Sequence, residues 1–203
     1  MEPTGKKIMK SEKKGFKIKF LSKMLGTVPK NKEVYGSYVA TKAPKGVDTE
    51  EEIATVEEIE EKGWTGFHKD DKGLFIYSYM IKGFLKSACE VAMANGAVNK
   101  IPAYKKWFDN LVFINPRKIY FGIDAPDGVL ERPLRTMTMK GPRVTVTRSD
   151  YIAEDREVEF ELEVLKNDKK VTLELVESLF EFGRYVGLGQ WRGSGGYGRI
   201  EIV

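Results

Sequence analysis

Residues 187–203 read GLGQWRGSGGYGRIEIV, with six glycines between Gly187 and Gly198 and a strand-like close at Ile200–Val203. Glycine loses more backbone entropy on folding than any other residue, so this density points to a conformation or close approach that a side chain would forbid. The segment lacks the Gly-Lys-Ser/Thr of a phosphate-binding P-loop. It also follows a helical pattern and runs into a strand, the reverse of a dinucleotide fingerprint. No cofactor is expected. Successive glycines let backbone N–H groups approach an anion. Interleaved Trp191, Arg192, Tyr197 and Arg199 add stacking surfaces and phosphate partners, the two features that single-stranded nucleic-acid sites combine. A glycine-rich bulge packed on neighbouring strands gives a similar string, and both readings stand at this point.

Working outward, residues 171–183 (VTLELVESLFEFG) read as the helix before the glycines, and Glu157–Val164 (EVEFELEV) alternates perfectly as a strand. Near the N-terminus, Phe16-Lys17-Ile18-Lys19-Phe20-Leu21 alternates apolar and basic residues, a half-buried strand. Helices are expected over 31–40 and 49–62, the second with Ile53, Val56 and Ile59 along one stripe and Gly63 closing it. Asp70-Asp71-Lys72-Gly73 signals a hairpin between strands near 65–69 and 74–79. Residues 81–95 form the central helix, closed by Asn95-Gly96. A segment with Tyr104, Trp107 and Phe108 follows, then strands at Leu111–Ile114 and Lys118–Phe121. Beyond a turn at 124–128, residues 129–147 are extended. The order predicts an α+β protein, a ferredoxin-like (RRM-related) βαββαβ antiparallel sheet with helices on one face, plus insertions. Residues 1–15 are expected to be a basic flexible N-terminus and 16–203 a single domain with an insertion at about 26–72.

Charge is segregated. Residues 1–23 hold eight lysines against Glu2 and Glu12, residues 48–62 hold eight carboxylates, and residues 132–148 hold five basic residues and no acid. Such separation suits attraction of a polyanion to one face. Apolar runs are too short to span a membrane, and the single Cys89 excludes an internal disulfide and a cysteine-based zinc site. A reducing, cytoplasmic setting without membrane or metal is expected.

Catalytic candidates are few. His68 is the only histidine, beside a predicted turn, and reads as a surface or strand-end residue. Cys89 sits among Leu85, Val91 and Ala92 on the central helix and reads as a buried thiol. Asp124 and Asp127 are explained by turn formation next to Pro126 and Gly128.

Gly187-Leu188-Gly189 followed by Gly196-Tyr197-Gly198-Arg199 resembles the C-terminal glycine-rich loop of the RAMP superfamily, which includes the repeat-associated proteins of CRISPR effector complexes. Tyr79–Lys86 (YMIKGFLK) is similar to the start of that family's first helix, with Lys86 where arginine is usual. Arg143–Arg148 (RVTVTR) resembles the strand that leads to the alternating one in backbone subunits. The resemblance covers roughly residues 78–203. It implies a ferredoxin-like domain that binds RNA, often by assembling along a guide. The insertion 26–72 matches no family motif, and Asp48, available for a slicing role, has no motif around it.

The expected function is therefore a non-catalytic single-stranded nucleic-acid-binding protein, RNA favoured, working as a homo-oligomer or as a subunit of a nucleoprotein complex. Its contact residues are expected to be Lys17, Lys19, Lys82, Lys86, Arg132, Arg135, Arg143 and Arg148, with Gly187, Gly189, Trp191, Arg192, Gly196, Tyr197 and Gly198 of the loop. Tyr104 and Trp107 are possible stacking residues that read more readily as core. The alternatives are a bacteriophage-type single-stranded DNA-binding protein of replication or recombination, a RAMP-type endoribonuclease using His68 or Asp124 and Asp127, and a protein-binding module using the acidic helix 49–62.

Overall fold

The computed structural model describes residues 10–42, 49–56, 63–138, 141–167 and 170–203, with the side chains of 38–42, 49–51, 134–138 and 143 left aside. In chain order the elements are β1 (Ser11–Phe20), β2 (Met24–Leu25), β3 (Val28–Pro29), α1 (Lys32–Lys42), α2 (Thr49–Ala54), β4 (Trp64–Gly66), β5 (His68–Asp70) and β6 (Gly73–Tyr77). There follow α3 (Ser78–Ala94), α4 (Tyr104–Leu111), β7 (Val112–Asn115), β8 (Lys118–Tyr120), β9 (Gly128–Thr138), β10 (Gly141–Ile152) and β11 (Glu157–Leu165). The chain closes with α5 (Leu173–Ser178), a 3-10 turn (Leu179–Phe182), α6 (Gly183–Val186) and β12 (Ile200–Ile202).

The main sheet has the strand order β12-β1-β11-β7, every neighbouring pair antiparallel. With α3 between β1 and β7, and α5–α6 between β11 and β12, this is the βαββαβ ferredoxin-like arrangement with order 4-1-3-2. Strand periodicity explains the two faces. Phe16, Ile18 and Phe20 of β1 and Val158, Phe160, Leu162 and Val164 of β11 point into the core, where Phe84, Leu85, Phe108 and Phe180 meet them. On α3 the buried residues are Ile81, Phe84, Leu85, Ala88, Cys89 and Ala92, one helical stripe. Thr172 caps α5, its Oγ1 accepting from Leu175 N at 3.2 Å.

The opposite face of this sheet is solvated and charged. Lys17 lies 2.9 Å from Glu159 and 3.1 Å from Glu157, Lys13 lies 3.3 Å from Glu163, and Lys19 lies 2.7 Å from Asp155. Hydrogen bonding to Glu159 and Glu157 holds the Lys17 ammonium above its usual range, and Asp155 does the same for Lys19.

A second sheet runs β2-β10-β4-β3, with β9 paired along β10; β4 is parallel to β10 and the other pairs are antiparallel. A third, antiparallel, runs β5-β6-β8. Of the elements between β1 and α3, β2, β3 and β4 are thus tied into the sheet of β10, whereas β5 and β6 are tied to β8.

Three local expectations are corrected. The aromatic segment is helix α4: Tyr104, Trp107, Phe108 and Leu111 fall at i, i+3, i+4 and i+7, which is helical spacing. The helix expected over 49–62 spans Thr49–Ala54, after which Val56 bridges to His68, and 57–62, including Ile59, lie outside the described residues, as does Asp48. β1 starts at Ser11, ahead of the alternation at Phe16, because Ser11–Gly15 continue the register with β11 and Lys13 meets Glu161 and Glu163 across the exposed face. No described helix is long and apolar enough to cross a membrane.

Candidate nucleic-acid interface

The glycine-rich loop is packed mainly against the protein itself. Gly187, Gly189, Gly196 and Gly198 all have positive φ, between 67° and 85°. Leu188 N donates to Gly198 O at 2.7 Å, so the two ends of the loop cross. Gln190 N donates to Leu25 O, and Gly198 N to Lys23 O, which stitches the loop onto β2 and the turn before it. A Cβ on Gly189 would sit 2.6 Å from Leu25 O. Gly187, Gly189 and Gly198 are buried, whereas Gly193 and Gly195 lie exposed at the tip. Of the two readings left open by the sequence, close packing on neighbouring backbone accounts for the three buried glycines.

The crossing presents Gln190, Trp191 and Tyr197 to the β9–β10 ribbon. Arg132 faces Thr147 across the ribbon, and Ser149 follows two residues on, so all three share one face. Thr65 of β4 lies in register with Ser149. These residues converge on one amide oxygen. Gln190 Oε1 accepts from Ser149 Oγ at 2.9 Å, Arg132 Nη2 at 3.2 Å and Thr65 Oγ1 at 3.3 Å. Arg132 Nη2 also donates to Ser149 Oγ at 3.0 Å.

Above this centre the Arg132 guanidinium lies 4.1 Å from the centre of the Trp191 ring and 5.9 Å from that of Tyr197. Arg132 is only 8% exposed, and its Nε and Nη1 have no hydrogen-bond partner among the described residues. Burial pulls its pKa down from the usual arginine range. Trp191 is 41% exposed and stands at φ +56°, a left-handed conformation that is strained for a bulky residue. Arg192, beside it, is half-buried.

The other expected contact residues are spread over the molecule. Lys17 and Lys19 lie in the charged ladder of the main sheet. Lys82 and Lys86 lie where α3 meets α4, with Lys86 Nζ 2.5 Å from Asp109 Oδ1 and Lys82 5.3 Å from the centre of Phe113. Arg148 turns to the ribbon face opposite Arg132, 2.6 Å from Glu131 and over the Trp64 ring. Beside it Asp150 accepts from Trp64 Nε1 at 2.7 Å and pairs with the buried Lys30 at 2.7 Å. Arg135 and Arg143 lie in the ribbon with their side chains outside the described residues. Gln190, Ser149 and Thr65 were not legible as site residues: none is charged or aromatic, and only folding brings them together.

A second polar cluster surrounds His68, which is 2% exposed rather than at the surface. Its Nδ1 is 2.7 Å from Thr55 Oγ1 and its Nε2 3.2 Å from the Tyr35 hydroxyl. It stacks on Phe75, and Glu52, 3% exposed, takes a hydrogen bond from Tyr35 and an ion pair from Arg117. The turn before β5 buries the ring because Val56 pairs with His68 and closes α2 over it. Burial, reinforced by Lys118, pushes the imidazole pKa down to about 3. Tyr104 and Trp107 pack against the main core, and Cys89 is fully buried. Asp127 accepts from Ala153 N at 2.8 Å and pairs with Arg156 at 3.0 Å. No three metal-ligating side chains gather among the described residues.

No protein-family model matches this chain, and no curated protein matches it. Among solved structures it is similar to a chain of the cryo-EM structure of the Type III-B Cmr-beta bound to cognate target RNA, with 14% identity and a TM-score of 0.48. The match takes in 96% of this chain and 59% of that one, so this chain spans about three fifths of its length.

Proposed function

We propose that this is a non-catalytic, single-stranded nucleic-acid-binding protein of RAMP-superfamily type, RNA favoured, that assembles along the strand or within a nucleoprotein complex. The observation that carries the reading is Arg132: a buried cation with no carboxylate partner among the described residues, lying against two aromatic rings of a glycine-rich loop. Positive charge beside stacking surfaces is the combination that holds a single strand. The preference for RNA rests on the resemblance of the loop, of Tyr79–Lys86 and of Arg143–Arg148 to the family. A nuclease reading gains no support from His68, which is enclosed, or from Asp127, whose carboxylate is taken by Arg156 and Ala153.

The test is equilibrium binding of labelled single-stranded RNA and DNA across a salt series, with particle sizing of the complexes. The expected result is RNA affinity that falls steeply with salt and particles that lengthen with the strand. Absence of binding to either nucleic acid at low salt would reject the function.

A further inference from the structure

Arg132 is the one place where the described structure leaves charge-bearing nitrogens both buried and unpartnered while flanking them with rings. Arg156 Nε is also unpartnered, but that guanidinium is neutralised by Asp127 at 3.0 Å. Enclosing a cation without an anion is costly, and stacking on an indole offsets only part of that cost. Nη2 is fixed by Ser149 and Gln190, which sets the guanidinium plane in advance of any ligand. The missing group is an anion, and the neighbouring rings favour one that comes with a planar partner.

Access requires a movement, because the indole covers the guanidinium. Trp191 is suited to that movement. Its backbone is in the left-handed region, strain that a movement of the residue can release. Its carbonyl accepts only a long bond from Tyr197 N, at 3.4 Å. Beyond it Gly193, Ser194 and Gly195 are exposed, and nothing lies within 4 Å of a Cβ placed on Gly193. On the other side Gln190 is anchored to Leu25, and beyond the tip Gly196 O is held by Ser22 Oγ at 3.0 Å, so the hinge lies in an exposed turn fixed at both ends, with Gly195 packed against Trp191.

Resting on the function proposed above, we infer that Arg132 and Trp191 form a single nucleotide subsite with a hinged cover. Trp191 swings off the guanidinium, one phosphodiester of the strand takes the Arg132 nitrogens, and the adjacent base stacks on the released indole. A nucleic-acid phosphate is favoured over an acidic peptide because a carboxylate would satisfy Arg132 but leave both rings unused.

The ligand-side experiment uses the unaltered protein and short oligouridylates in which one phosphodiester at a time is replaced by a neutral methylphosphonate. One linkage is expected to stand out, its neutralisation weakening binding about tenfold, as expected for loss of a charge-assisted contact. In Arg132→Gln that linkage is expected to become no more sensitive than the rest. In protein carrying 5-fluorotryptophan, the Trp191 fluorine resonance, identified by its loss in Trp191→Phe, is expected to shift on adding oligouridylate, while the Trp107 resonance stays put. Uniform tolerance of methylphosphonates, a Trp191 resonance that does not move, or equal displacement by polyglutamate would each overturn the subsite while leaving nucleic-acid binding intact. Failure of every oligonucleotide to bind at low salt would instead reject the function itself. The methylphosphonate scan and the resonance shift are both read on the wild-type fold, so neither depends on the stability of Arg132→Gln.

Discussion

Gly187 and Gly198 meet backbone to backbone where the glycine-rich loop crosses itself. A Cβ on Gly187 would stand 2.9 Å from the Gly198 carbonyl oxygen and 2.6 Å from that of Tyr197. A Cβ on Gly198, at φ +67°, would collide harder still with the backbone of Leu188. Gly198→Ala is therefore expected to lower unfolding free energy by about 3 kcal/mol, since backbone cannot yield as a flexible side chain would. Gly193→Ala, with open space around it, is expected to change stability by less than about 0.5 kcal/mol. Urea unfolding of the two variants checks this, and equal midpoints would refute the crossing.

Lys30 and Asp150 form an enclosed ion pair whose aspartate is also tied to Trp64. Lys30→Met leaves that carboxylate without its cation, and about 3 kcal/mol of destabilisation is expected. Trp64 holds Asp150 beside Ser149 of the arginine site, so the loss of packing should also appear in the near-ultraviolet circular dichroism. A variant as stable as the wild type would show that the pair is not closed to water.

His68 makes stability depend on pH in a definite direction. Its folded pKa is about 3 against 6.5 when exposed, so the unfolded chain binds the extra proton first as pH falls. The neutral imidazole carries no penalty above pH 6.5. Stability is lost as pH drops from there toward about 3, with a slope from this residue approaching about 1.4 kcal/mol per unit. His68→Gln is expected to flatten that slope in urea titrations across the acid range, and an unchanged slope would mean that the ring is reached by water.

Lys17 and Lys19 look like phosphate contacts in the sequence, but their ammonium groups are paired with Glu157, Glu159 and Asp155. Replacing both with alanine is expected to leave RNA affinity within about twofold and stability within about 1 kcal/mol. Affinity measured at fixed salt decides it. A fall in the salt-dependence slope of about one per lysine would put the strand on this face instead.

The ferredoxin-like frame was legible because its strands advertise themselves by alternation. Phe16–Phe20 and Val158–Val164 have only one way to bury their apolar positions, and α3 carries a single apolar stripe. Helix α4 was missed, although Tyr104, Trp107, Phe108 and Leu111 hold helical spacing, because the aromatic content masked its period. The site was half legible. Arg132, Trp191 and Tyr197 carry the residue types that such chemistry needs, whereas Ser149, Thr65 and Gln190 acquire meaning only through strand register. The burial of His68 could not be read, because it depends on α2 folding back over β5.

The three donors on Gln190 come from residues 125, 58 and 41 positions away along the chain. Such a junction joins segments far apart in the chain, at an entropic cost of loop closure repaid by no local contact. The junction therefore depends on tertiary structure and on no single local element. A nascent chain that has completed its central helix and ribbon still lacks the Gln190 junction until the glycine-rich segment has been made and crossed.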